Sequence, residues 1–185
     1  MSKYDMISTF SKTKYATIIV AYFVCIQVRA QTKPIGNFVN YDNHNYAFIH
    51  GIKPNALQAR EVCKSYGMAM VKIESADENA FVLNTISSLY EIDTIDVAKQ
   101  YWTGGTDASN ENMWSWNGEG AYFYDQNKMS TINDAYENWG KTKLGTQPNN
   151  VWKNDEDEDC MVIRNDGSWY DIGCTKRYAF VICEQ

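Results

Sequence analysis

The sequence predicts an α+β domain in which two helices pack on antiparallel sheets and long loops gather at one end. Apolar residues recur at helical spacing in the first half of the chain, which indicates the helices. Short β-rich segments separated by Gly and Asn/Asp turns fill the second half. Beyond residue 30 the number of cysteines is even, which is typical of a domain stapled by disulfides.

Residues 1–30 are typical of a secretory signal peptide. They combine a basic start, an apolar stretch over residues 15–28 and a small residue, Ala30, before Gln31. The apolar run is short and interrupted for a membrane span, although a signal anchor is the alternative interpretation. We expect cleavage after Ala30, secretion, and no membrane insertion of the mature chain.

We expect a short, poorly ordered lead over residues 31–44 and a single domain over residues 45–185. The domain opens with residues 45–50, a β-rich segment that predicts a strand. Asn55 is then placed to cap a helix whose apolar residues keep helical spacing until Gly67, where the helix ends.

A second strand and a second helix complete the first half. Residues 69–73 predict the strand, and Ser75 with Glu78 forms a capping box that opens the helix. Further on, the Asn-Gly pair at residues 117–118 predicts a hairpin turn. Residues 121–151 lack periodicity and predict long loops, which in a compact domain are usually functional.

Charge and cysteine usage narrow the function classes. The formal net charge of −6 disfavours nucleic acid and anionic membranes as partners and suits a cation site. The absence of a C-x-x-C pair and the presence of only 2 His argue against structural zinc. Of the 5 Cys, Cys25 falls in the signal segment, so four remain for two disulfides with three alternative connectivities.

An ordered set of short motifs runs from the first helix to the C terminus. They are Cys63, Trp-x-Gly at 102–104, Gln-Pro-Asn at 147–149 after Trp139-Gly140, Glu-Asp-Cys at 158–160, Trp-x-Asp at 169–171, Cys174, and Phe-x-x-Cys-Glu at 180–184. Each motif alone is weak, but the ordered set resembles the C-type lectin-like domains over residues 45–185. The resemblance implies the fold of those domains, with the disulfide pairs Cys63–Cys183 and Cys160–Cys174.

The resemblance also implies a principal calcium site at which sugar hydroxyls complete the oxygen shell of the ion. Its matching positions are Gln147, Asn149, Glu158, Tyr170 and Asp171. The intervening Pro148 is expected in a cis bond. Two departures weaken the site, because both residues beside the proline are amides and Tyr170 replaces an amide. Calcium affinity follows ligand charge and count, so we expect weak calcium binding. Mannose-type sites of the family resemble Glu-Pro-Asn and galactose-type sites resemble Gln-Pro-Asp, so the double amide implies a mixed preference for mannose and galactose.

A second, supporting calcium position matches a different set of residues. They are Asp107, Glu111, Asn150, Glu158 and Asp159, of which four are carboxylates. Because this set carries more charge, we expect it to hold calcium more tightly than the principal site. The alternative is that Asp107 and Glu111 are ordinary acids of a turn.

The six tryptophans divide between core and loops. Those predicted to lie in the core are Trp102, Trp114, Trp116 and Trp169. Trp139 and Trp152 lie in the predicted loops, where either role is open. Trp152 follows the Gln-Pro-Asn turn, so its ring is a candidate to stack on a galactose face.

The resemblance therefore implies an extracellular lectin, suited to innate recognition, with calcium as cofactor and glycans or glycoproteins as partners. The alternative is a sugar-independent protein-binding module on the same scaffold, which Tyr170 and the double amide favour. An enzyme is not predicted, since the chain lacks a Ser/His/Asp arrangement, a phosphate loop and a zinc motif. Glu158 and Asp171 could mimic a glycosidase pair, but calcium ligation accounts for them better.

Overall fold

A computed structural model describes residues 36–92, 100–143, 145–151 and 157–185. The predicted signal peptide, residues 1–30, lies outside the described part of the chain. Within the part that is described, no helix has the length and apolar character that crossing a membrane requires.

The described residues form two helices and twelve strands, in agreement with the predicted α+β class. The helices are α1 (Ala56–Ser65) and α2 (Ala76–Ile92). The strands are β1 (Gly36–Tyr41), β2 (His44–Ile49), β3 (Ala69–Met70), β4 (Gln100–Thr106), β5 (Met113–Trp116), β6 (Glu119–Asp125), β7 (Ser130–Thr131), β8 (Lys141–Thr142), β9 (Gly145–Thr146), β10 (Cys160–Arg164), β11 (Trp169–Ile172) and β12 (Phe180–Glu184).

Both helices begin at the predicted capping residues. Asn55 accepts the N–H of Gln58, whose side chain accepts the N–H of Asn55 in return, so α1 starts with a complete capping box. At α2, the Ser75 hydroxyl accepts the N–H of Glu78. The Glu78 carboxylate instead accepts the N–H of Glu74, so the reciprocal bond is displaced by one residue from the predicted box.

Ten strands share one sheet, whose main path runs β1-β2-β12-β4-β5-β6-β7. The last strand, β12, lies between β2 and β4, antiparallel to the first and parallel to the second. On the other side of β4, β10 pairs antiparallel and carries β11. The separate hairpin β8–β9 leads directly into the Gln-Pro-Asn turn. The sheet therefore brings the ends of β4, β10 and β11 together beside that turn.

The N-terminal edge of the domain differs from the prediction. The poorly ordered lead expected over residues 31–44 contains strand β1, which pairs with β2 from Gly36↔Ile49 to Tyr41↔His44. Asp42 and Asn43 form the turn with φ of 45° and 64°, values suited to a two-residue hairpin. The Asp-Asn pair was the available sequence indication of this hairpin. The predicted strand at residues 69–73 is only two residues long, because β3 pairs with β12 only at Ala69 and Met70.

The loops predicted over residues 121–151 are also more regular than expected. Strand β6 continues to Asp125 and pairs with β5 and β7, and β8–β9 forms a hairpin of its own. Two register irregularities between β5 and β6 break the alternation on which the sequence prediction depends. The predicted Asn-Gly turn at residues 117–118 is confirmed, with both residues at positive φ.

Tryptophan and other aromatic side chains fill the core. The four tryptophans predicted there are all buried, and Trp102, Trp114 and Trp169 are fully so. Trp139, whose role the sequence left open, is also buried and packs edge-on against Trp114 at 4.9 Å between ring centroids. Trp152 lies outside the described residues.

The two disulfides pair as the resemblance implied. Cys63–Cys183 ties α1 to β12 across 120 residues, and Cys160–Cys174 ties the start of β10 to the segment after β11 across 14 residues. Each bridge closes a loop of chain, which stabilises the fold mainly by restricting the unfolded state.

Candidate functional site

The Gln-Pro-Asn turn is held by the carboxylate of Asp171. The Gln147–Pro148 peptide bond is cis, as expected. Gln147 donates its N–H to the carbonyl of Gly140 at 2.9 Å, which fixes the start of the turn. Asp171 Oδ2 then accepts the N–H groups of both Asn149 and Asn150 at 2.7 Å each. One oxygen of Asp171 is thus committed to shaping the turn.

The two asparagines of the turn also make local hydrogen bonds. Asn149 Oδ1 accepts the N–H of Val151 at 3.0 Å, so this oxygen already has a partner. Asn150 Oδ1 accepts the N–H of Glu158 at 2.8 Å, and its Nδ2 donates to Glu111 Oε1 at 2.9 Å. Asn150 therefore links the two predicted calcium positions through hydrogen bonds.

Three acidic or amide side chains of the predicted principal site are buried together. Gln147, Glu158 and Asp171 are at most 6% exposed. Gln147 Oε1 and Asp171 Oδ1 have no hydrogen-bond partner among the described residues. Burial, followed by the charge of Asp171, raises the pKa of Glu158 to about 7. Burial likewise raises the pKa of Asp171. These oxygens are acceptors, so the group that would satisfy them is a cation or a hydrogen-bond donor.

A pocket of about 290 Å³ opens over these oxygens. Arg164 and Arg177 share its lining, and their positive charges oppose the upward shift in the pKa of Glu158. Sequence reasoning missed both arginines, since neither falls within a motif of the resemblance. Their presence means that part of the negative charge of the site is already balanced by the chain.

Tyr170 packs rather than pointing free into the site. Its ring lies under the Arg164 guanidinium, with Cζ 3.5 Å from the ring centroid. The ring also packs closely against Gly140, where an added Cβ atom would collide with it. Tyr170 is buried in the apolar cluster that contains Trp102 and Ile172. The residue that replaces an amide of the family pattern thus forms a wall of the pocket.

The predicted supporting position centres on Asp107, at the end of β4. Asp107 is only 2% exposed, and its Oδ2 accepts the N–H of Asn112 at 3.0 Å, while Oδ1 has no partner among the described residues. Burial raises the pKa of Asp107 to about 7, and the charges of Glu111 and Asp159 add to the shift. Glu111 and Asp159 thus lie within electrostatic reach of Asp107.

The donor chemistry of both positions fits an ion that prefers oxygen ligands, because the unpartnered buried atoms are carboxylate and amide oxygens. The described acidic side chains by themselves do not surround a position for the ion. Within the described ranges, no three His, Cys, Asp or Glu side chains lie close enough together to hold a metal ion. Trp152, the candidate for sugar stacking, falls outside the described residues.

Fold and site together define a disulfide-stapled α+β binding domain with an oxygen-rich turn at its loop end. The family model described as Lectin C-type domain matches residues 52–185. The chain therefore belongs to the C-type lectin domain family.

Two curated relatives illustrate the range of the similarity. The chain is 29% identical over 143 residues to mouse C-type lectin domain family 4 member F, covering 76% of this chain but 22% of that protein. It is 27% identical over 170 residues to a perlucin-like protein of Mytilus galloprovincialis, covering 90% of this chain and 94% of that one.

Among solved structures, the cow CD23 carbohydrate-recognition domain, crystallised in the presence of a GlcNAc2Man3 oligosaccharide, is similar with a TM-score of 0.58. The identity is 20%, and the match covers 80% of this chain and 92% of the cow chain. At that identity the likeness establishes the fold.

Proposed function

We propose that the protein is a secreted lectin that binds glycans or glycoproteins with the help of calcium, weakly and with a mixed mannose/galactose preference. The observation that carries the proposal is the pair of buried oxygens without a partner among the described residues under the pocket, Gln147 Oε1 and Asp171 Oδ1, beside the buried carboxylate of Glu158. Buried acceptors without partners cost free energy, so a fold retains them where a ligand completes them.

Calcium at this position would be held by oxygens of Gln147, Asn149, Glu158 and Asp171, with Asn149 supplying the oxygen that now accepts the Val151 N–H. When bound, the ion supplies a centre to which two adjacent sugar hydroxyls can attach. The chain itself orients the hydroxyls through the amides of Gln147 and Asn149. Since an amide both donates and accepts, neither end of the site selects one hydroxyl geometry.

The supporting position is proposed to bind calcium more tightly than the principal one. Its ligands are proposed to be Asp107, Glu111, Glu158 and Asp159, with Asn150 in the place of a fifth acid. Since no three acids of the described ranges lie close enough together to hold an ion, calcium would have to draw these four together. Four carboxylates then attract a divalent ion more strongly than two, and the principal site also has Arg164 and Arg177 beside it.

The proposed location outside the cell rests on the disulfides, since such bridges form and persist in oxidising compartments. The signal peptide over residues 1–30 and the absence of membrane insertion after its cleavage remain predictions. The acidic net charge of −6 supports glycans over nucleic acid as partners.

A glycan array, run with and without chelator, tests the proposal most directly. We expect weak signals on both mannose- and galactose-terminated glycans, all lost in chelator. Asn149→Asp adds a third carboxylate to the principal site, so it should raise calcium affinity and shift the preference towards galactose. Asn37→Asp, an exposed change on β1, is the matched control and should leave both unchanged.

One observation favours a second candidate, a sugar-independent protein-binding module. Tyr170, at the sequence position where the family pattern has an amide, packs against Gly140 and under the Arg164 guanidinium. If folded Asn149→Asp gains neither calcium nor galactose binding, Tyr170 has closed the site. The protein-binding function should then be preferred.

A further inference from the structure

A second pocket lies away from the proposed lectin site. It measures about 250 Å³ and opens between the residue that precedes the α2 cap and the segment that follows β7. Four aromatic side chains and one carboxylate line it, namely Trp116, Tyr122, Phe123, Tyr136 and Glu74. We call it the aromatic pocket. None of these residues belongs to the predicted calcium or sugar positions.

The rings of the aromatic pocket are anchored by the buried core. Trp116 and Phe123 stack at 4.6 Å between centroids, and both meet Trp169 edge-on at 5.7 and 6.2 Å. Tyr136 contacts Trp169 edge-on as well, at 5.4 Å. Trp169 is in turn fixed by the hydrogen bond from its Nε1 to Asn79 Oδ1 at 2.8 Å. Because the rings are held in place without a ligand, binding one costs little ordering entropy.

Hydrogen bonds fix the remaining walls. The N–H of Ile132 donates to Phe123 O at 2.8 Å, which attaches the outer segment to β6. The N–H of Ala135 donates to Ile132 O at 3.2 Å and turns the chain towards Tyr136. Asn110 Nδ2 donates to the Tyr122 hydroxyl at 3.2 Å and orients that ring. The aromatic pocket is therefore a formed feature of the fold.

The charge of the aromatic pocket is negative. Glu74 is the charged residue among those that line it, and no Lys or Arg of the described chain shares the lining. The carboxylate of Glu78, which accepts the Glu74 N–H at 2.8 Å, adds a second negative charge nearby. Trp116 and Phe123 are buried and stack on each other, so the accessible aromatic surface of the pocket comes mainly from the half-buried Tyr122 and Tyr136. Aromatic rings attract cations through their quadrupoles, so these tyrosines and the carboxylates favour the same kind of ligand.

We propose that the aromatic pocket binds an alkylated ammonium group, the head group of choline and its esters. Methyl groups on the nitrogen make such a cation weakly hydrated, and they can contact the apolar rings while the charge faces Glu74. A bare lysine ammonium is compact and strongly hydrated, so it loses more on entering the same pocket. The proposal is independent of calcium and of the lectin site, since the two pockets share no lining residue.

Calorimetric titration of the full-length protein in chelator tests the proposal, with choline as the probe. The neutral isostere 3,3-dimethyl-1-butanol has the same shape without the charge, and should bind at least ~5-fold more weakly. Glu74→Gln should weaken choline binding about 5-fold or more. Asp77→Asn is the matched control, because Asp77 is exposed near Glu74 but lines a different groove. It should leave the affinity unchanged.

A filling variant gives an independent readout. Ala121 is exposed and lines the aromatic pocket, so Ala121→Phe should abolish choline binding without disturbing the core. Vesicles of phosphatidylcholine, tested by co-sedimentation, distinguish a lipid head group from a free choline ester as the source. Equal affinity for choline and its isostere, equal losses in Glu74→Gln and Asp77→Asn, or no choline binding at about 50 mM would each overturn the proposal.

Discussion

Among the described residues, most buried polar groups have hydrogen-bond partners in the tryptophan core, whereas several lack one at the loop end of the domain. The loop end comprises the Gln-Pro-Asn turn and the acids around it, Asp107, Glu158 and Asp171. In the core, the indole N–H groups of Trp102, Trp114 and Trp169 all donate hydrogen bonds, to Pro54 O at 2.9 Å, to Gln126 Oε1 at 3.1 Å and to Asn79 Oδ1 at 2.8 Å. In the loop end, one buried oxygen from each of three side chains has no partner among the described residues. These atoms belong to Asp107, Gln147 and Asp171.

The buried polar groups of the core stabilise the fold, whereas those of the loop end belong to the proposed binding site. A buried polar group without a partner costs free energy, so the core satisfies most of its polar groups by itself, whereas the oxygens of the loop end are left for the proposed ligand to satisfy. Trp139 is the exception in the core, because its buried Nε1 has no partner among the described residues. It lies next to Gly140, where the core meets the loop end.

The largest expected effect comes from removing the disulfides, of which one ties α1 to β12 and the other ties the start of β10 to the segment after β11. In the chain-entropy model, Cys63→Ala/Cys183→Ala should cost about 5 kcal/mol and Cys160→Ala/Cys174→Ala about 3 kcal/mol, because the first closes the longer loop. Urea unfolding of both double variants measures the costs. A larger loss from the second pair would mean that the loop end, rather than the core, dominates stability.

Asn79→Ala tests the core side of the comparison. It removes the acceptor of Trp169 Nε1 and so leaves that buried N–H unpaired, whereas Gly167 O loses the Asn79 donor but keeps the bond from Asn138 Nδ2. We expect a loss of about 2–3 kcal/mol in the free energy of unfolding. The control, Asn84→Ala at an exposed position of the same helix, should change it by less than about 0.5 kcal/mol. Equal effects of the two changes would contradict this account of the core.

Asp107→Asn tests the loop end, and we expect it to raise the free energy of unfolding, whereas Asn79→Ala lowers it. In chelator the variant should be more stable than the wild type by about 1 kcal/mol, because an amide keeps the bond to Asn112 without a buried charge. Asp125→Asn is the contrast, since Asp125 is also buried but pairs with Lys128 at 2.8 Å. Thermal unfolding should show a small loss for that variant. Destabilisation by Asp107→Asn in chelator would remove the distinction between the regions.

The smallest expected effect concerns His44, at the edge of the sheet and outside both regions. Its hydrogen bond to Glu184, followed by the charge of that carboxylate, raises the pKa of His44 above 6.5. The stability it contributes is fully present below the unfolded pKa and is lost as pH rises through the folded pKa. The free energy of unfolding should therefore fall slightly more for the wild type than for His44→Gln as pH rises from below 6.5 through the raised pKa of the folded state. Parallel pH profiles would contradict this.

Much of the core was predictable from the sequence. Asn55 and Ser75 mark both helix starts because capping is local chemistry, and the buried tryptophans follow from residue type. The disulfide pairing was predictable only through the family resemblance, since four cysteines allow three connectivities. Strands β1 and β6–β9 were missed, because short or irregular pairing leaves little periodicity to detect.

The candidate site was less accessible to sequence reasoning. The resemblance predicted which residues gather around the Gln-Pro-Asn turn, but not that Asn149 and Asn150 are engaged in hydrogen bonds to neighbouring backbone. It also missed Arg164 and Arg177, which the fold places beside the acids. Such contacts depend on tertiary geometry and leave no local pattern in the sequence.

Calcium-dependent thermal unfolding tests the central claim, that the loop end is completed by a bound cation. At calcium concentrations well above Kd, the Tm of the wild type should rise by several degrees relative to chelator. Asp107→Asn should lose most of that rise, while Asp171→Asn should retain part of it, because the supporting position carries more charge. An unchanged Tm at about 10 mM calcium, or equal losses in the two variants, would contradict the account.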